Sequence, residues 1–312
     1  MTETGPLFVS SGDLIADRRY KWALDHAARG DFAGAADILV QTVALAPAFA
    51  TAWFALGAIR DRLGDRSAAI DAFEKARDAD PEDYHGARLQ LARLGSGHAT
   101  PAMTETYVRR LFDQYAARYD AALTEHLSYR APALLHAAIE PAMPAAGRFR
   151  FASALDLGCG TGLAGAAFRG IADRLVGVDL SPAMIAQAAR KGLYDRLVTG
   201  DLNDFLEETA SKGEKYQLVI AADVFVYVND LAPIFTAVAH VLMPGGLFAF
   251  TVETHAGDGI KLLPTLRYAH AAPYLRLALA DTGLSLVSIT EAAVRFEKAV
   301  PVDSLVVVAQ AP

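Results

Sequence analysis

The sequence has little of what marks exported or membrane proteins. It contains one cysteine in 312 residues, so it can form no internal disulfide bond, which fits a reducing compartment. Its longest apolar stretch, residues 39–54, is interrupted by Gln41, Pro47 and Thr51 and is too broken to span a bilayer. The first thirteen residues lack the basic start and apolar run of a signal peptide. We therefore expect a cytoplasmic protein without a membrane segment.

Positive charge is also scarce. The chain has 29 Lys and Arg against 36 Asp and Glu, a net charge of −7, so a large basic surface for nucleic acid is not expected. Cys/His clusters with zinc spacing are missing, and we predict no metal site. The sequence is instead rich in hydrophobic residues, at 53%, which is ample for one large or two ordinary domains.

An internal repeat lies in the first third of the chain. Gly30 recurs as Gly64 and Pro47 recurs as Pro81, each 34 positions later. That period is typical of the tetratricopeptide helix–turn–helix unit. We therefore predict an all-α repeat domain at residues 11–94. Two interpretations of it stay open: a groove for a protein partner, or a scaffold that docks on the rest of the chain or mediates self-association.

A stretch with linker composition, GSGHATP, follows the repeats. Gly and Pro in such clusters mark loops, so we place a linker at 95–104 and a second domain at 105–312.

The second domain is organised around residues 151–162, FASALDLGCGTG. An apolar run with strand character ends at Asp156 and is followed by Gly158, Cys159, Gly160 and Gly162, after which a helix-like segment begins. A strand, a glycine turn and a helix in this order bring the backbone close to a nucleotide-like ligand. The spacing is G-x-G-x-G and differs from the G-x-G-x-x-G of dinucleotide folds.

Acidic residues end the next strands. Asp179 follows the second strand, where a carboxylate is placed to accept hydrogen bonds from ribose hydroxyls. Asp201 follows the third strand and could accept from the exocyclic amine of an adenine, with Leu180 and Leu202 against the faces of the base. Because these strand ends would meet at one edge of a sheet, the sequence predicts one continuous ligand cleft.

Five ordered motifs resemble those of class I S-adenosylmethionine-dependent methyltransferases: DLGCGTG, VGVDLSPAMI, TGDL, YQLVIAADVF and LMPGGLFAFTVE. FDQYAARYD and KGLYDRL are also similar to bacterial methyltransferases that carry tetratricopeptide repeats and to the Williams–Beuren-region methyltransferase-like proteins. The resemblance implies S-adenosylmethionine as cofactor. It also implies an α/β fold with a Rossmann-like sheet of seven strands that ends in a C-terminal antiparallel hairpin.

The resemblance further implies that the segment before the fold covers the cofactor. We predict a helix from Thr104 to Leu123, and Tyr115 or Tyr119 would then line the site, although aromatic stripes at helical spacing more often pack in a core. Asp156 would help to orient the methionine amino group through the backbone or a water molecule. We interpret Cys159 as a small buried residue and not as a nucleophile.

The catalytic residues are left unassigned. The fourth strand ends in Ala222 and Asp223, which would lie near the methionine end of the cofactor. Asp223 could contact the cofactor, act as a base or cap the next helix. Tyr227, His255 and His270 are the other candidate bases. Methyl transfer from a sulfonium mainly requires alignment and exclusion of water, and it needs a base only when the acceptor must lose a proton.

We therefore predict a methyltransferase with a small-molecule acceptor, since nothing indicates nucleic acid. A protein acceptor presented by the repeats is the enzymatic alternative. The second alternative is a non-catalytic interaction protein that binds the cofactor as a structural ligand. An NAD-dependent oxidoreductase is disfavoured by the glycine spacing, by Asp201 and by the predicted C-terminal hairpin.

Overall fold

The computed structural model describes residues 8–96, 103–123, 127–142 and 150–312. Most of the predicted linker at 95–104 lies outside these residues. The chain divides into two compact units, Met1–Arg110 and Leu111–Pro312. This boundary falls six residues after the predicted end of the linker, and the predicted domain limits stay predictions.

The first unit is helical and follows the predicted 34-residue period. Gly30 and Gly64 have left-handed φ values of 85° and 82° in the turns between paired helices. Asp31 and Asp65 come next and cap the following helices by accepting from the backbone N–H three residues later. The helices are α1 (Leu14–Ala28), α2 (Phe32–Leu45), α3 (Ala50–Arg62), α4 (Arg66–Ala79) and α5 (Ala87–Arg93).

The second unit contains a mixed sheet with the strands β1 (Phe151–Leu157), β2 (Ala172–Asp179), β3 (Arg196–Thr199), β4 (Tyr216–Ala221), β5 (Leu242–Glu253), β6 (Ile260–Leu262), β7 (Tyr268–His270), β8 (Ser285–Glu297) and β9 (Val300–Gln310). The first five run in the order β3-β2-β1-β4-β5, all parallel. β9 pairs antiparallel with β5 on one side and with β8 on the other, so the predicted Rossmann-like sheet and its C-terminal hairpin are confirmed. The described residues form nine strands in this sheet instead of the predicted seven, because β6 and β7 join it.

A short hairpin, β6 and β7, lies in a stretch whose sequence is typical of a loop. Residues 255–268 contain two glycines and lack strong periodicity, but Ile260–Leu262 pairs with Tyr268–His270, and Glu253 of β5 pairs with Ala269. The hairpin forms because the backbone at the end of β5 offers a partner for β7, which the local sequence does not reveal.

Helices cover both faces of the sheet, as parallel strands require. The remaining helices are α6 (Glu105–Tyr115), α7 (Tyr119–Ala121), α8 (Ala131–Ile139), α9 (Leu163–Phe168), α10 (Pro182–Lys191), α11 (Leu202–Ser211), α12 (Ala232–Val241) and α13 (Ala272–Asp281). One apolar cluster lies under α11 to α13 and the other under α8 and α9. Among the described residues, no helix is long and apolar enough to cross a membrane.

The predicted single helix from Thr104 to Leu123 is wrong in one respect. α6 ends at Tyr115, a 3₁₀ turn follows, and Arg118 leaves the helical region with φ −120° and ψ 5°. The break redirects the chain so that Asp120 accepts a hydrogen bond from Thr161 and pairs with Lys191. These contacts to the glycine turn and to α10 stabilise a bend that the apolar spacing could not indicate.

Candidate functional site

The glycine turn after β1 has three left-handed residues, Gly158, Gly160 and Gly162, with φ values of 63°, 52° and 90°. A Cβ atom on Gly158 would lie 2.5 Å from Cγ2 of Val224, so this position is packed. On Gly160 the nearest heavy atom would be Cε1 of Tyr119, 3.9 Å away. The turn therefore presents open backbone at Gly160, below the ring of Tyr119.

Asp179, at the end of β2, ties this turn to the neighbouring strand. Its Oδ2 accepts from the Gly160 N–H at 2.8 Å and its Oδ1 accepts from the Ser181 N–H at 2.8 Å. Burial raises the pKa of this carboxyl to about 6, against the effect of the two hydrogen bonds. A carboxylate has about four acceptor positions, so two remain for a ligand.

Asp156, one strand further in, is completely buried. Its Oδ2 accepts a hydrogen bond of 2.6 Å from the hydroxyl of Tyr194, and its Oδ1 has no hydrogen-bond partner among the described residues. Burial, together with the nearby charge of Asp179, raises the pKa of Asp156 to about 7. An orphaned buried acceptor of this kind fits a ligand that brings a hydrogen-bond donor.

Tyr194 was missed as a site residue. Its ring packs against three glycines. A Cβ atom would lie 3.1 Å from the Tyr194 ring if added to Gly162, and 2.4 Å from the Tyr194 hydroxyl if added to Gly165. A Cβ atom on Gly177 would lie 2.9 Å from both the Tyr194 ring and Sγ of Cys159. Gly165 and Gly177 were a usable signal, since both stand inside regular elements, where glycine is otherwise costly.

Aromatic rings lie beside the turn. Phe112 makes edge-to-face contacts with Tyr119 and Tyr227, at centroid distances of 6.0 and 5.1 Å. The hydroxyl of Tyr129 donates to the carbonyl of Ala222 at 3.2 Å. Tyr115 packs instead with Met184 of α10, which agrees with the packing interpretation for this residue. Of the two predicted tyrosines, it is therefore Tyr119 that borders the glycine turn.

The end of α6 is fastened to α10. Asp113 accepts from the hydroxyl of Ser181 at 2.6 Å and from the N–H of Ala183 at 3.3 Å. Because Ser181 also donates its N–H to Asp179, the segment that carries Phe112 and Tyr119 is held close to the end of β2.

Asp201 lies at the end of β3 and caps α11. Its Oδ1 accepts from the N–H groups of Asn203 and Asp204 at 2.7 and 3.2 Å. Leu180 and Leu202 are half-buried at the same sheet edge. The predicted adenine contact of these three residues stays a prediction, as do the predicted ligand roles of Ala222 and the glycines.

Asp223 has a strained backbone and a buried cationic partner. Its φ is 61°, its N–H donates to Oγ1 of Thr251 at 2.8 Å, and Nη1 of Arg295 lies 2.5 Å from both carboxylate oxygens. The alternative of a helix cap is wrong, because Val224 and Leu231 precede the next two helices and the carboxylate is turned to Arg295. The other two interpretations of Asp223 stay open.

Arg295 belongs to an ionic network that sequence reasoning missed. It also pairs with Glu253 at the end of β5 and with Glu297, and Arg267 pairs with both glutamates. Burial raises the pKa of Glu253, whereas that of Glu297 is lowered because the two arginine charges outweigh its burial. Nothing in the run AAVRFEK distinguishes a buried arginine from a solvent-facing one.

The other candidate bases differ in environment. Burial raises the pKa of Tyr227, so its phenol is neutral. His270 is fully buried with Nε2 2.9 Å from the carbonyl of Asn229, and burial lowers its pKa to about 4, so it is neutral as well. His255 borders a separate cavity of about 640 Å³ with Glu291 and Asp303.

Cys159 agrees with its predicted role as a small buried residue. Its side chain lies in the turn at 5% exposure, and burial raises the pKa of its thiol well above the usual range. A thiol that stays protonated is a poor nucleophile.

The comparisons with known proteins agree with these observations. Residues 154–246 match a family model described as a methyltransferase domain, and residues 50–83 match one described as a tetratricopeptide repeat. The first match includes the glycine turn and the strand ends at Asp156, Asp179, Asp201 and Asp223. No curated protein matches the chain.

Several solved structures are similar to part of this chain. The N-methyltransferase NodS from Bradyrhizobium japonicum WM9, in complex with S-adenosylhomocysteine, is 20% identical over 52% of this chain and 79% of its own, with a TM-score of 0.42. The DhpI–SAH complex is 24% identical over 65% and 94%, with a TM-score of 0.47. A methyltransferase from Clostridium acetobutylicum is 18% identical over 64% and 99%, with a TM-score of 0.48.

Proposed function

We propose that this chain, a class I S-adenosylmethionine-dependent methyltransferase with N-terminal tetratricopeptide repeats, transfers a methyl group to a small molecule that binds beside Asp223. The observation that carries the proposal is the polar cradle at one sheet edge. The orphaned Oδ1 of Asp156, the open backbone at Gly160 and the spare acceptor positions of Asp179 lie on the ends of two adjacent parallel strands.

The residues of this edge fit the cofactor. Asp179 would accept from the ribose hydroxyls, and Asp156 would accept from the methionine amino group. Asp201, Leu180 and Leu202 would hold the adenine. Tyr119 would cover the turn formed by Gly158, Cys159, Gly160 and Gly162. S-adenosylmethionine supplies an electrophilic methyl group attached to a sulfonium.

The chain's own contribution to the reaction is alignment and exclusion of water. Phe112, Tyr119 and Tyr227 form an apolar wall whose phenols stay neutral, because burial raises the pKa of both tyrosines. Asp223 is fixed by Arg295 and can hold an acceptor group through its remaining acceptor positions.

The repeats belong to a class of module that binds proteins. Leu14, Ile15 and Trp22 of α1 are 86%, 60% and 56% exposed, and three large apolar side chains exposed on one helix favour a contact through that helix with a protein partner or a second copy of the chain. A protein acceptor presented by the repeats is the alternative to a small molecule. A cytoplasmic location stays a prediction, and the free buried thiol of Cys159 is consistent with it.

The test is calorimetric titration of the purified protein with S-adenosylhomocysteine. We expect micromolar binding, and we expect Asp179→Ala to weaken it at least tenfold, about 1.4 kcal/mol. Asp173→Ala is the matched control, since Asp173 lies on the same strand, is exposed and pairs with Arg150. We expect a change below twofold there. A folded wild-type protein that does not bind S-adenosylhomocysteine would refute the proposal.

A further inference from the structure

In the ionic network beside Asp223, the two arginines and Glu253 are buried, whereas Asp223 and Glu297 are partly exposed. The side chains of Arg295 and Arg267 are 1% and 6% exposed, whereas those of Asp223 and Glu297 are 14% and 22% exposed. With Glu253, three carboxylates face two guanidinium groups, which leaves an excess of negative charge. A group that arrives from the open side therefore meets carboxylate oxygens before it meets an arginine.

Aromatic rings lie on the segments next to Asp223. The hydroxyl of Tyr129 donates to the carbonyl of Ala222, the residue before Asp223, and Phe112 contacts both Tyr119 and Tyr227, which follows Asp223 by four positions. Tyr119 also borders the open backbone at Gly160. The aromatic wall beside Asp223 thus continues into the cleft proposed for the cofactor. Aromatic faces attract cations, and a carboxylate beside them strengthens this preference.

Two other acceptor classes fit less well. An anionic acceptor would need a free guanidinium, but Arg295 and Arg267 are both buried and paired with carboxylates. An alcohol or phenol would need a base to take its proton. Asp223 is already engaged by Arg295, Tyr227 is a neutral phenol, and His270 is buried with its Nε2 at a carbonyl. A neutral amine has its own lone pair and needs no base during attack.

We infer that the acceptor presents an amine, held by the carboxylate of Asp223 and flanked by the rings of Tyr119 and Tyr227. The inference rests on the proposed function and specifies its substrate class. The amine first releases a proton to water, and its nitrogen lone pair then forms the N–C bond while the C–S bond breaks and leaves its electron pair on sulfur. The methylated ammonium can afterwards release one further proton to water.

The experiment uses pairs of probes that share a skeleton and differ in charge. The full-length protein, saturated with S-adenosylhomocysteine, is titrated calorimetrically with benzylamine and benzoate, and with tyramine and 4-hydroxyphenylacetate. We expect the amine of at least one pair to bind at least tenfold more tightly than its carboxylate partner. We expect Asp223→Asn to weaken the binding of that amine at least tenfold. Asp303 is an exposed acid on β9, and we expect Asp303→Asn to change the affinity for the amine less than twofold.

A second substitution separates binding from folding. Tyr227→Leu removes the ring and its hydrogen bond to Arg267, and we expect it to weaken the binding of the amine at least threefold. Tyr227→Phe loses only that hydrogen bond, and we expect it to keep the affinity for the amine. Carboxylates that bind as well as amines, or no amine binding while S-adenosylhomocysteine binds, would overturn the inference and leave the proposed function standing. Failure of S-adenosylhomocysteine to bind the folded protein would overturn both.

Discussion

The hydroxyl of Tyr194 donates a 2.6 Å hydrogen bond to Oδ2 of Asp156, a carboxyl group with no exposure to solvent. The two residues are 38 positions apart and meet because the ring of Tyr194 fits against the backbone of Gly162 and Gly165. This contact supplies the one side-chain hydrogen bond that Asp156 makes in the described part of the chain. It therefore fixes the carboxyl group that we propose for the methionine end of the cofactor.

Removal of this hydroxyl in Tyr194→Phe should destabilise the protein by about 1–3 kcal/mol at pH 8, because a buried acceptor loses its donor. Urea unfolding measures the change. Tyr216→Phe is the control, since its hydroxyl makes only a 3.3 Å contact with Glu214, and we expect a smaller loss there. Equal losses in the two variants would contradict the assignment.

The ionisation of Asp156 should lower the stability of the ligand-free protein as pH rises from about 4 to about 7, whereas His270, whose pKa burial lowers from 6.5 to about 4, acts in the opposite direction. Burial raises the pKa of Asp156 from 3.8 to about 7, so within this range the folded protein keeps a proton that the unfolded chain has released. Asp179, with a pKa of about 6, acts in the same direction. At about 1.4 kcal/mol per pKa unit, Asp156 accounts for up to about 4 kcal/mol.

Urea unfolding at pH 5, 6, 7 and 8 tests this dependence, and Asp156→Asn should flatten it because asparagine does not titrate. A proton should also be released when S-adenosylhomocysteine binds near pH 6, since an ammonium favours the ionised carboxylate. Calorimetry in buffers of different ionisation enthalpy measures that release. Parallel pH profiles for the wild type and Asp156→Asn would show that another group is responsible.

The parts of the fold that the sequence predicted are those encoded over short distances. The glycine turn stands directly after an apolar run, and Asp179 and Asp201 each follow their own strand, so the strand ends could be placed without knowing the sheet. The repeat was predictable for the same reason, because Gly30 and Gly64 recur at a fixed period and each supplies the left-handed turn its helix pair requires.

The parts that were missed depend on distant pairing. Arg295 reaches Asp223, 72 positions away, because β9 inserts between β5 and β8 and brings the end of β8 to the same sheet edge. The run around Arg295 reads as an ordinary exposed strand. The bend after Tyr115 was missed because apolar spacing continues through it, while its cause is the contact of Asp120 with Thr161.

A methyl group on Gly158 should disrupt the turn. Gly158→Ala would place Cβ 2.5 Å from Val224 and would strain a φ of 63°, so we expect a loss of stability of about 1–3 kcal/mol and at least tenfold weaker binding of S-adenosylhomocysteine. Gly170→Ala is the control, since a Cβ atom there meets nothing within 4 Å. Intact affinity in folded Gly158→Ala would show that the turn does not hold the ligand.

Gly57 tests how the repeats are built. In an exposed helix, Gly→Ala stabilises by about 1 kcal/mol, but a Cβ atom on Gly57 would lie 2.7 Å from two ring atoms of Phe73. Overpacking of this kind costs about 1–3 kcal/mol, so we expect Gly57→Ala to destabilise the first unit. Adding Phe73→Leu should recover part of the loss by making room for the methyl group.

The same variant also tests whether the repeats contribute to cofactor binding. Every residue proposed to hold the cofactor lies between 111 and 312, so we expect Gly57→Ala to change the affinity for S-adenosylhomocysteine less than twofold. Calorimetry below the unfolding temperature of the first unit measures it. A larger change would mean that the repeats act on the cofactor site. It would then favour the alternative in which the repeats present a protein acceptor over the interpretation in which they only bind partners.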